Sequence, residues 1–272
     1  MTHFFFTQDS DAKGLAPDYF HQMESYLANP DVHMVGGDVR VHTKNPIVAL
    51  LHAVDRETYR RLLVTSHCKP KTYGGNVALR ASTLFRFGGH NLGYKRKANN
   101  ALREALLNTL GKKSVVYGEN AYISTNDRRE CACVDEGIPY VYKNQRCWAA
   151  NDFTYDRTTT DTTSATGDLT LQQRLPMIEF QLGEMLFKNV CTYLSFDARF
   201  DFQNFKEISK DELIANAREN DALHTAILEM IGLFKNICEQ FGTSIMVNDR
   251  LEVTMRRISP AIQVAPIYEM CT

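Results

Sequence analysis

The sequence predicts an α+β fold, in which mixed antiparallel strands and several helices follow each other in an irregular order. Two kinds of apolar spacing support this: alternate apolar residues, typical of strands, and a 3.6-residue period, typical of helices. The two kinds do not alternate in a regular β-α-β rhythm, and there is no internal repeat. With 272 residues, 44% hydrophobic and 23% charged, the composition is that of an ordinary soluble globular protein.

The N-terminal part of the sequence predicts a strand, a helix and a hairpin. Residues 3–8 have the apolar character of a strand, and apolar residues recur at helical spacing over residues 16–29, before Pro30. Apolar alternation on both sides of Gly36-Gly37-Asp38 predicts a hairpin over residues 32–43.

The next part combines helices with two further strand regions. Periodicity does not decide whether residues 47–54 are a buried helix or a strand, whereas residues 55–63 are more clearly helical. Residues 77–87 alternate like a strand, and residues 98–110 form a helix that stops at a glycine. A second hairpin is predicted over residues 115–124, and helix signals are weak over residues 125–167.

A threonine-rich segment gives the best candidate domain boundary. Residues 154–167 contain seven threonines, one serine and almost nothing apolar, so they predict a linker or an exposed loop. The sequence then divides into a basic-centred α+β region over residues 1–153 and an acidic helical region over residues 168–272. Both parts can also belong to one domain.

The acidic region begins with a long helix over residues 169–194. Five of its apolar residues follow a coiled-coil-like 4-3-4-3 spacing, which predicts the seam of a homodimer. These seam residues are Leu171, Leu175, Ile178, Leu182 and Met185.

The rest of the acidic region predicts a strand, a helix and a hairpin. Residues 196–202 alternate like a strand, and a capping box at residues 209–212 opens a helix whose apolar stripe ends near residue 241. A hairpin follows over residues 244–257, with a short edge strand over residues 260–270.

Charge is segregated along the chain. Residues 51–110 carry eleven Lys/Arg against three Asp/Glu, a net of +8, while residues 151–272 hold eighteen acids and eleven bases, a net of −7. The total of −1 hides this asymmetry. Such a distribution is typical of proteins that bind through electrostatic fields.

Carboxylates on and around the helices of the acidic half form the main candidate site. A row of surface carboxylates attracts Arg/Lys-rich peptides and imitates the phosphates that such peptides hold. A merely solvated helix face is the alternative interpretation. The predicted partner-binding residues are Glu179, Glu184, Glu207, Asp211, Glu212, Glu219, Asp221 and Glu229.

The sequence contains no enzyme signature, so we predict no enzyme, no cofactor and no metal. It lacks a nucleotide-binding glycine motif and a nucleophile elbow. Cys131, Cys133, Cys147 and the His67-Cys68 pair do not have the paired spacing of a zinc site, and thiols buried in strands are the simpler interpretation. Seven cysteines without a disulfide framework, no signal peptide and no membrane-length apolar run predict a cytosolic protein.

Direct nucleic-acid binding is the second hypothesis. Residues 80–97 place cations, including Lys95, Arg96 and Lys97, among Phe85, Phe87 and Tyr94. Cations that bind phosphates and aromatic rings that stack on bases suit single strands. The segment has no recognised RNA-binding signature, so a solvated basic face or a partner for the acidic half is the alternative.

In its length, its opening Met1-Thr2-His3-Phe4-Phe5-Phe6 and its lack of enzyme motifs, the chain resembles the degradosome-interacting proteins of giant Pseudomonas bacteriophages, which inhibit host RNase E. The resemblance implies a homodimer of uncommon mixed topology in the host cytoplasm. It also implies acidic outer surfaces that bind arginine-rich, RNA-binding segments of RNase E, so that transcripts survive longer. The +8 stretch is not what an RNA mimic needs.

Overall fold

A computed structural model describes residues 3–8, 12, 14–43, 45–73, 75–88, 98–135, 137–142, 171–201, 205 and 207–257. The helices are α1 (Tyr19–Leu27), α2 (Pro46–Val64), α3 (Ala81–Arg86), α4 (Ala98–Leu110), α5 (Arg128–Asp135), α6 (Leu171–Phe196), α7 (Lys210–Glu219) and α8 (Asp221–Gln240). The strands are β1 (Phe4–Gln8), β2 (Gly14–Leu15), β3 (Met34–His42), β4 (Asn76–Arg80), β5 (Val115–Asn126), β6 (Ser244–Val247) and β7 (Val253–Arg257). Short 3-10 turns lie at Lys112–Ser114 and Tyr140–Tyr142. This mixture confirms the α+β prediction.

The chain forms two compact units that interleave in sequence. The sheet unit takes Met1–His42 and Lys69–Asn126, and the helical unit takes Thr43–Cys68 and Asp127–Thr272. The boundary predicted at residues 154–167 falls outside the described residues and stays a prediction. The helical unit therefore draws on residues from both sides of the threonine-rich segment.

The sheet unit is built on a five-stranded sheet of order β1-β4-β3-β5-β2. Its neighbours are antiparallel except for β3 and β5, which run parallel. Alternate residues of the strands β3, β4 and β5 enter different cores, as the two-residue period of a strand requires. In β4, Ala78 packs with Met23 of α1 on one face, while Val77 and Leu79 pack with Leu106 of α4 on the other.

A polar contact is buried inside the sheet unit. Asn76 is fully buried; its Oδ1 accepts from the Tyr19 hydroxyl at 2.6 Å, and its Nδ2 donates to the Asp38 and Ala121 carbonyls at 2.6 and 3.2 Å. Burial raises the pKa of Tyr19 to about 12. Because a buried polar group is costly without partners, these bonds fix the register of three strands.

The hairpin predicted over residues 32–43 is wrong, because Met34–His42 is one strand. Its glycines serve close approach and not a turn: a Cβ at Gly36 would overlap the Lys71 carbonyl, and one at Gly37 would overlap Ala121 and Asn76. The second predicted hairpin is also a single strand, β5. There a Cβ at Gly118 would come within 3.1 Å of Tyr26 and Val35.

Three other predictions differ from the structure. The strand expected over residues 77–87 ends at Arg80, where the chain turns into α3, and the helix α5 lies where helix signals are weak. The strand expected over residues 196–202 is absent from its described part, because α6 continues to Phe196 and a turn follows. The helix expected after residue 209 is divided at Asn220 into α7 and α8. The edge strand over residues 260–270 lies outside the described residues.

The helical unit packs α2, α6 and α8 together, with the β6-β7 hairpin against α6 and α8. α6 and α8 meet through the apolar faces that their periodicity predicts. At Gly183 of α6 the backbone of the hairpin comes close, with the Cβ position 3.6 Å from the Leu251 carbonyl oxygen, which is ordinary van der Waals contact. Gln181 of α6 adds two hydrogen bonds: its Nε2 donates to the Ile138 carbonyl at 2.8 Å, and its Oε1 accepts from the Tyr140 amide at 2.5 Å.

Candidate functional site

The candidate site is the outer face of α7 and the start of α8. Ser209 begins α7, since its hydroxyl accepts from the Glu212 amide at 3.2 Å, which confirms the predicted cap. Leu213 and Ala217 anchor one face in the core. Asn220 then ends α7 and caps α8, accepting from the Leu223 amide at 3.0 Å.

Five acidic side chains on α7 and directly beside its two ends are exposed to solvent. They are exposed, and none makes a side-chain hydrogen bond or an ion pair with another residue that the structure describes. We call them the α7 carboxylates: Glu207, Asp211, Glu212, Glu219 and Asp221. Asp211 and Glu212 lie in the first turn of α7, where the helix dipole favours negative charge.

The other three predicted partner-binding residues have contacts within the chain. Glu179 accepts from the backbone amide of Met255 in β7 at 2.8 Å. Glu184 forms an ion pair with Lys210 at 3.1 Å. Glu229 takes part in a network with an arginine, described below. Of the eight predicted acids, five therefore have no described partner, and three have contacts with other residues of the chain.

Basic groups also lie on this face. Arg218 of α7 is 3.9 Å from Asp249, and both side chains are more than two-thirds exposed. A surface pair of this length contributes little free energy. It leaves the negative charge of the α7 carboxylates in place.

A network around Arg199 lies just after α6. The Arg199 Nε donates to both carboxylate oxygens of Asp197 at 3.0 Å, and its Nη2 donates to Glu229 Oε2 at 2.9 Å. The Tyr193 hydroxyl donates to the same Glu229 oxygen at 2.9 Å, and the ring of His67 stacks on Tyr193 with centroids 4.2 Å apart. Sequence reasoning missed this network, because its members come from three separate segments of the chain.

The network shifts the protonation of its members. The hydrogen bonds from Arg199 hold the pKa of Asp197 below its ordinary value. Hydrogen bonds from Tyr193 and Arg199 lower the pKa of Glu229 in the same way. Burial, aided by the bond to Glu229, raises the pKa of Tyr193 to about 12. Both carboxylates are therefore ionised at neutral pH, and the tyrosine is neutral.

Most of the predicted dimer seam is used inside the chain. Ile178, Leu182 and Met185 are at most 3% exposed within the single chain, so they offer no surface to a second subunit. Leu175 is half-buried, and the side chain of Leu171 lies outside the described residues. The seam spacing is explained by packing of α6 within its own unit.

The described part of the basic stretch also has intramolecular uses. The Arg80 guanidinium donates to backbone carbonyls at Leu27, Asn29 and Val32, and Glu104 binds both Lys69 and Arg103. On α3, Phe85 is 80% exposed, and Arg86 is exposed without a hydrogen bond or ion pair to another described residue. Lys95, Arg96 and Lys97 lie outside the described residues.

The candidate catalytic and metal groups do not assemble within the described chain. His67 stacks on Tyr193, whereas the Cys68 thiol approaches the Tyr59 carbonyl at 3.8 Å. Cys131 and Cys133 are buried, but on the helix α5 and not in a strand as expected. Among the residues described, no three His, Cys, Asp or Glu side chains are grouped to hold a metal ion. Cys147 lies outside those residues.

No protein-family model matches this chain, and no curated protein matches its sequence. Within the described ranges, no helix combines the length and the apolar character needed to span a bilayer.

Proposed function

We propose that this protein is a phage-encoded inhibitor that binds an arginine-rich segment of host RNase E through the α7 carboxylates and keeps RNA off that segment. The observation that carries the proposal is five exposed carboxylates, without a described partner, between residues 207 and 221. The phage origin, the host cytoplasm and RNase E come from the resemblance of the whole chain. The exposed charge supports the chemistry of the ligand.

A single surface ion pair is too weak to account for such binding. Each exposed pair contributes roughly 0.2–1 kcal/mol, so only several simultaneous pairs give useful affinity. Guanidinium groups suit this role because they bind carboxylates in a planar, two-pronged geometry. The binding should weaken as salt rises, since exposed charges are screened over about 8 Å at physiological ionic strength.

The dimensions of α7 suit an extended peptide. The ten residues of Lys210–Glu219 span about 15 Å at 1.5 Å per residue. An extended chain covers that length with about five residues. A disordered segment with an arginine every two or three residues therefore places two or three guanidinium groups along the helix. Such a segment normally holds RNA phosphates, so its occupation by carboxylates excludes RNA.

The test is a binding titration of a purified RNase E scaffold segment against wild type and a charge-reversal variant. We expect the triple variant Asp211→Lys, Glu212→Lys, Glu219→Lys to lose binding by roughly a hundredfold or more at low salt, since several pairs become repulsive. The matched control reverses three exposed acids outside this face, Glu24, Asp31 and Glu239, with the same change in net charge. Equal losses in both variants contradict the placement of the site.

A homodimer remains part of the proposal, because two copies present two acidic faces and raise the avidity for a segment with repeated arginines. The burial of Ile178, Leu182 and Met185 requires that the second copy binds through other residues. Light scattering gives the mass directly. A monomer at micromolar concentration contradicts this part of the proposal and leaves the acidic face unaffected.

Single-strand nucleic-acid binding is the second candidate, because α3 exposes Phe85 beside Arg86. An aromatic ring next to a cation fits a base and its phosphate. Changing Lys95, Arg96 and Lys97 to Glu removes binding under this candidate and leaves it unchanged under the acidic-surface proposal. Ribonuclease treatment of a captured complex gives the same distinction, because only an RNA-mediated complex is lost.

A further inference from the structure

Arg199 is bound by two carboxylates of its own chain, in the way that the proposed function requires for an arginine of the partner. The Arg199 guanidinium binds Asp197 in a two-pronged geometry and also reaches Glu229 at 2.9 Å. The Phe200 ring lies 5.7 Å from the guanidinium carbon, within reach of a cation-π contact. The chain itself therefore shows that these carboxylates accept a guanidinium.

The occupied carboxylate is close to the proposed binding face. Glu229 lies on α8, eight residues after Asp221, which places it about 12 Å further along the same helix. Its side chain is 47% exposed. An extended peptide that contacts Asp221 thus reaches Glu229 with a residue about four positions away.

The contact is also easy to exchange. The Arg199 side chain is 45% exposed, so water and salt reach its bonds. Ion pairs of this exposure contribute little net free energy. A peptide bound by the α7 carboxylates presents its next arginine at an effective concentration on the order of millimolar. At that concentration the peptide arginine competes with Arg199 for Glu229. Asp197, in contrast, is 8% exposed, so its charge depends on a close guanidinium.

We infer that Arg199 is an intramolecular competitor: it occupies a guanidinium site made by Asp197 and Glu229, and an arginine of the bound partner displaces it. This inference rests on the proposed function for the identity of the partner. The guanidinium site itself does not depend on that function. In the unbound protein Arg199 pairs with Glu229 as well as with Asp197, and on binding Glu229 joins the α7 carboxylates.

The first experiment probes the site without any partner. Arg199→Ala leaves Asp197 and Glu229 without their guanidinium, and methylguanidinium chloride at millimolar concentration is the probe. At constant ionic strength we expect it to raise the melting temperature of Arg199→Ala but not of wild type, while methylammonium has a weaker effect. Equal responses of the variant to both cations overturn the site, because any small cation then suffices.

The second experiment tests the competition. With an alternating Arg-Gly dodecapeptide, Arg199→Gln is expected to bind roughly threefold to tenfold more tightly than wild type. Arg61→Gln is the matched control, because it removes one half-exposed arginine that is paired to a carboxylate, Glu57, on α2 and not on α7, with the same change in charge. Adding Glu229→Gln to Arg199→Gln removes the gain. Equal gains in Arg199→Gln and Arg61→Gln overturn the inference, because net charge alone then explains them.

A measurement on wild type covers the case in which the variants do not fold. The Nε–H signal of Arg199 reports its bond to Asp197 in a nuclear magnetic resonance titration with the same peptide. We expect this signal to shift as the peptide saturates. Saturation with an unchanged Arg199 signal overturns the inference, whereas failure of wild type to bind the peptide overturns the proposed function and leaves the methylguanidinium result standing.

Discussion

The two units of this protein use their polar groups in different ways. In the sheet unit, Asn76 bonds a hydroxyl and two carbonyls in the core, and Arg80 donates to three backbone carbonyls. In the helical unit, the α7 carboxylates have no described partner. Changes in the first set therefore affect the free energy of unfolding, and changes in the second should affect binding.

The variant Asn76→Ala tests whether the buried polar groups of the sheet unit stabilise the fold, and it should have the largest effect. Removal of this side chain leaves the Tyr19 hydroxyl and the Asp38 and Ala121 carbonyls without these bonds in a closed core. At roughly 1–3 kcal/mol for each unsatisfied group, we expect a loss of about 4 kcal/mol in the free energy of unfolding, measured in urea. The control is Asn236→Ala on the exposed face of α8, with an expected change within about 0.5 kcal/mol. A similar loss in both variants contradicts the role of Asn76.

The same substitution at two glycines should act in opposite directions. Gly37→Ala forces a Cβ against Ala121 and Asn76, and we expect it to destabilise the protein by about 3 kcal/mol. Gly232→Ala meets nothing within 4 Å on α8, so its better helix propensity should stabilise by about 0.5–1 kcal/mol. The melting temperatures of both variants test this prediction. If both temperatures rise, or both fall, the close packing described around Gly37 is wrong.

The triple reversal at Asp211, Glu212 and Glu219 should leave stability nearly unchanged. These side chains are exposed, and surface changes away from buried contacts stay within about 0.5 kcal/mol each. The first turn of α7 is the exception, because lysine there opposes the helix dipole, and we expect a loss of roughly 0.3–1 kcal/mol. A loss comparable to that of Asn76→Ala, seen in the same urea series, contradicts the distinction between the two units.

The smallest effect concerns acid stability. The folded-state pKa values of Asp197 and Glu229 are lowered from 3.8 and 4.5, so their contribution is present above about pH 4.5 and is lost as pH falls through the lowered values. Arg199→Gln removes one cause of both shifts. We therefore expect its melting temperature to fall less than that of wild type between pH 5 and roughly pH 2. If the melting temperatures of the two proteins fall equally with pH, Arg199 is not the cause of the lowered pKa values.

Local spacing predicted most of the helices and the β6-β7 hairpin over residues 244–257, but the two hairpins predicted in the sheet unit are wrong. Residues 98–110 and the long apolar helix were identified because a buried face requires a helical period. The sequence predicts a turn at Gly36-Gly37, because it does not distinguish a glycine that turns the chain from one that lets another backbone approach. The parallel pairing of β3 with β5 depends on residues about 80 positions apart, and no local pattern contains it.

The site was predicted in part for the same reason. The capping residues at 209–212 predict the helix that carries Asp211, Glu212 and Glu219. The exposure of these side chains follows from their positions on that helix. The contacts of Glu179 with Met255 and of Glu229 with Arg199 depend on how distant segments pack. Which acids have partners is therefore a tertiary property, and the sequence could supply only the list of candidates.

The interleaving of the two units has a consequence for synthesis on the ribosome. The strand β3 is complete at His42, but its parallel partner β5 ends only at Asn126. At roughly 5–20 residues per second, about 80 residues take roughly 4 to 17 s to emerge. During that interval one side of β3 has no partner, and an unpaired strand edge of this kind is prone to aggregation. A fragment that ends between β3 and β5 should therefore aggregate more readily than the full chain, as measured by the fraction that pellets.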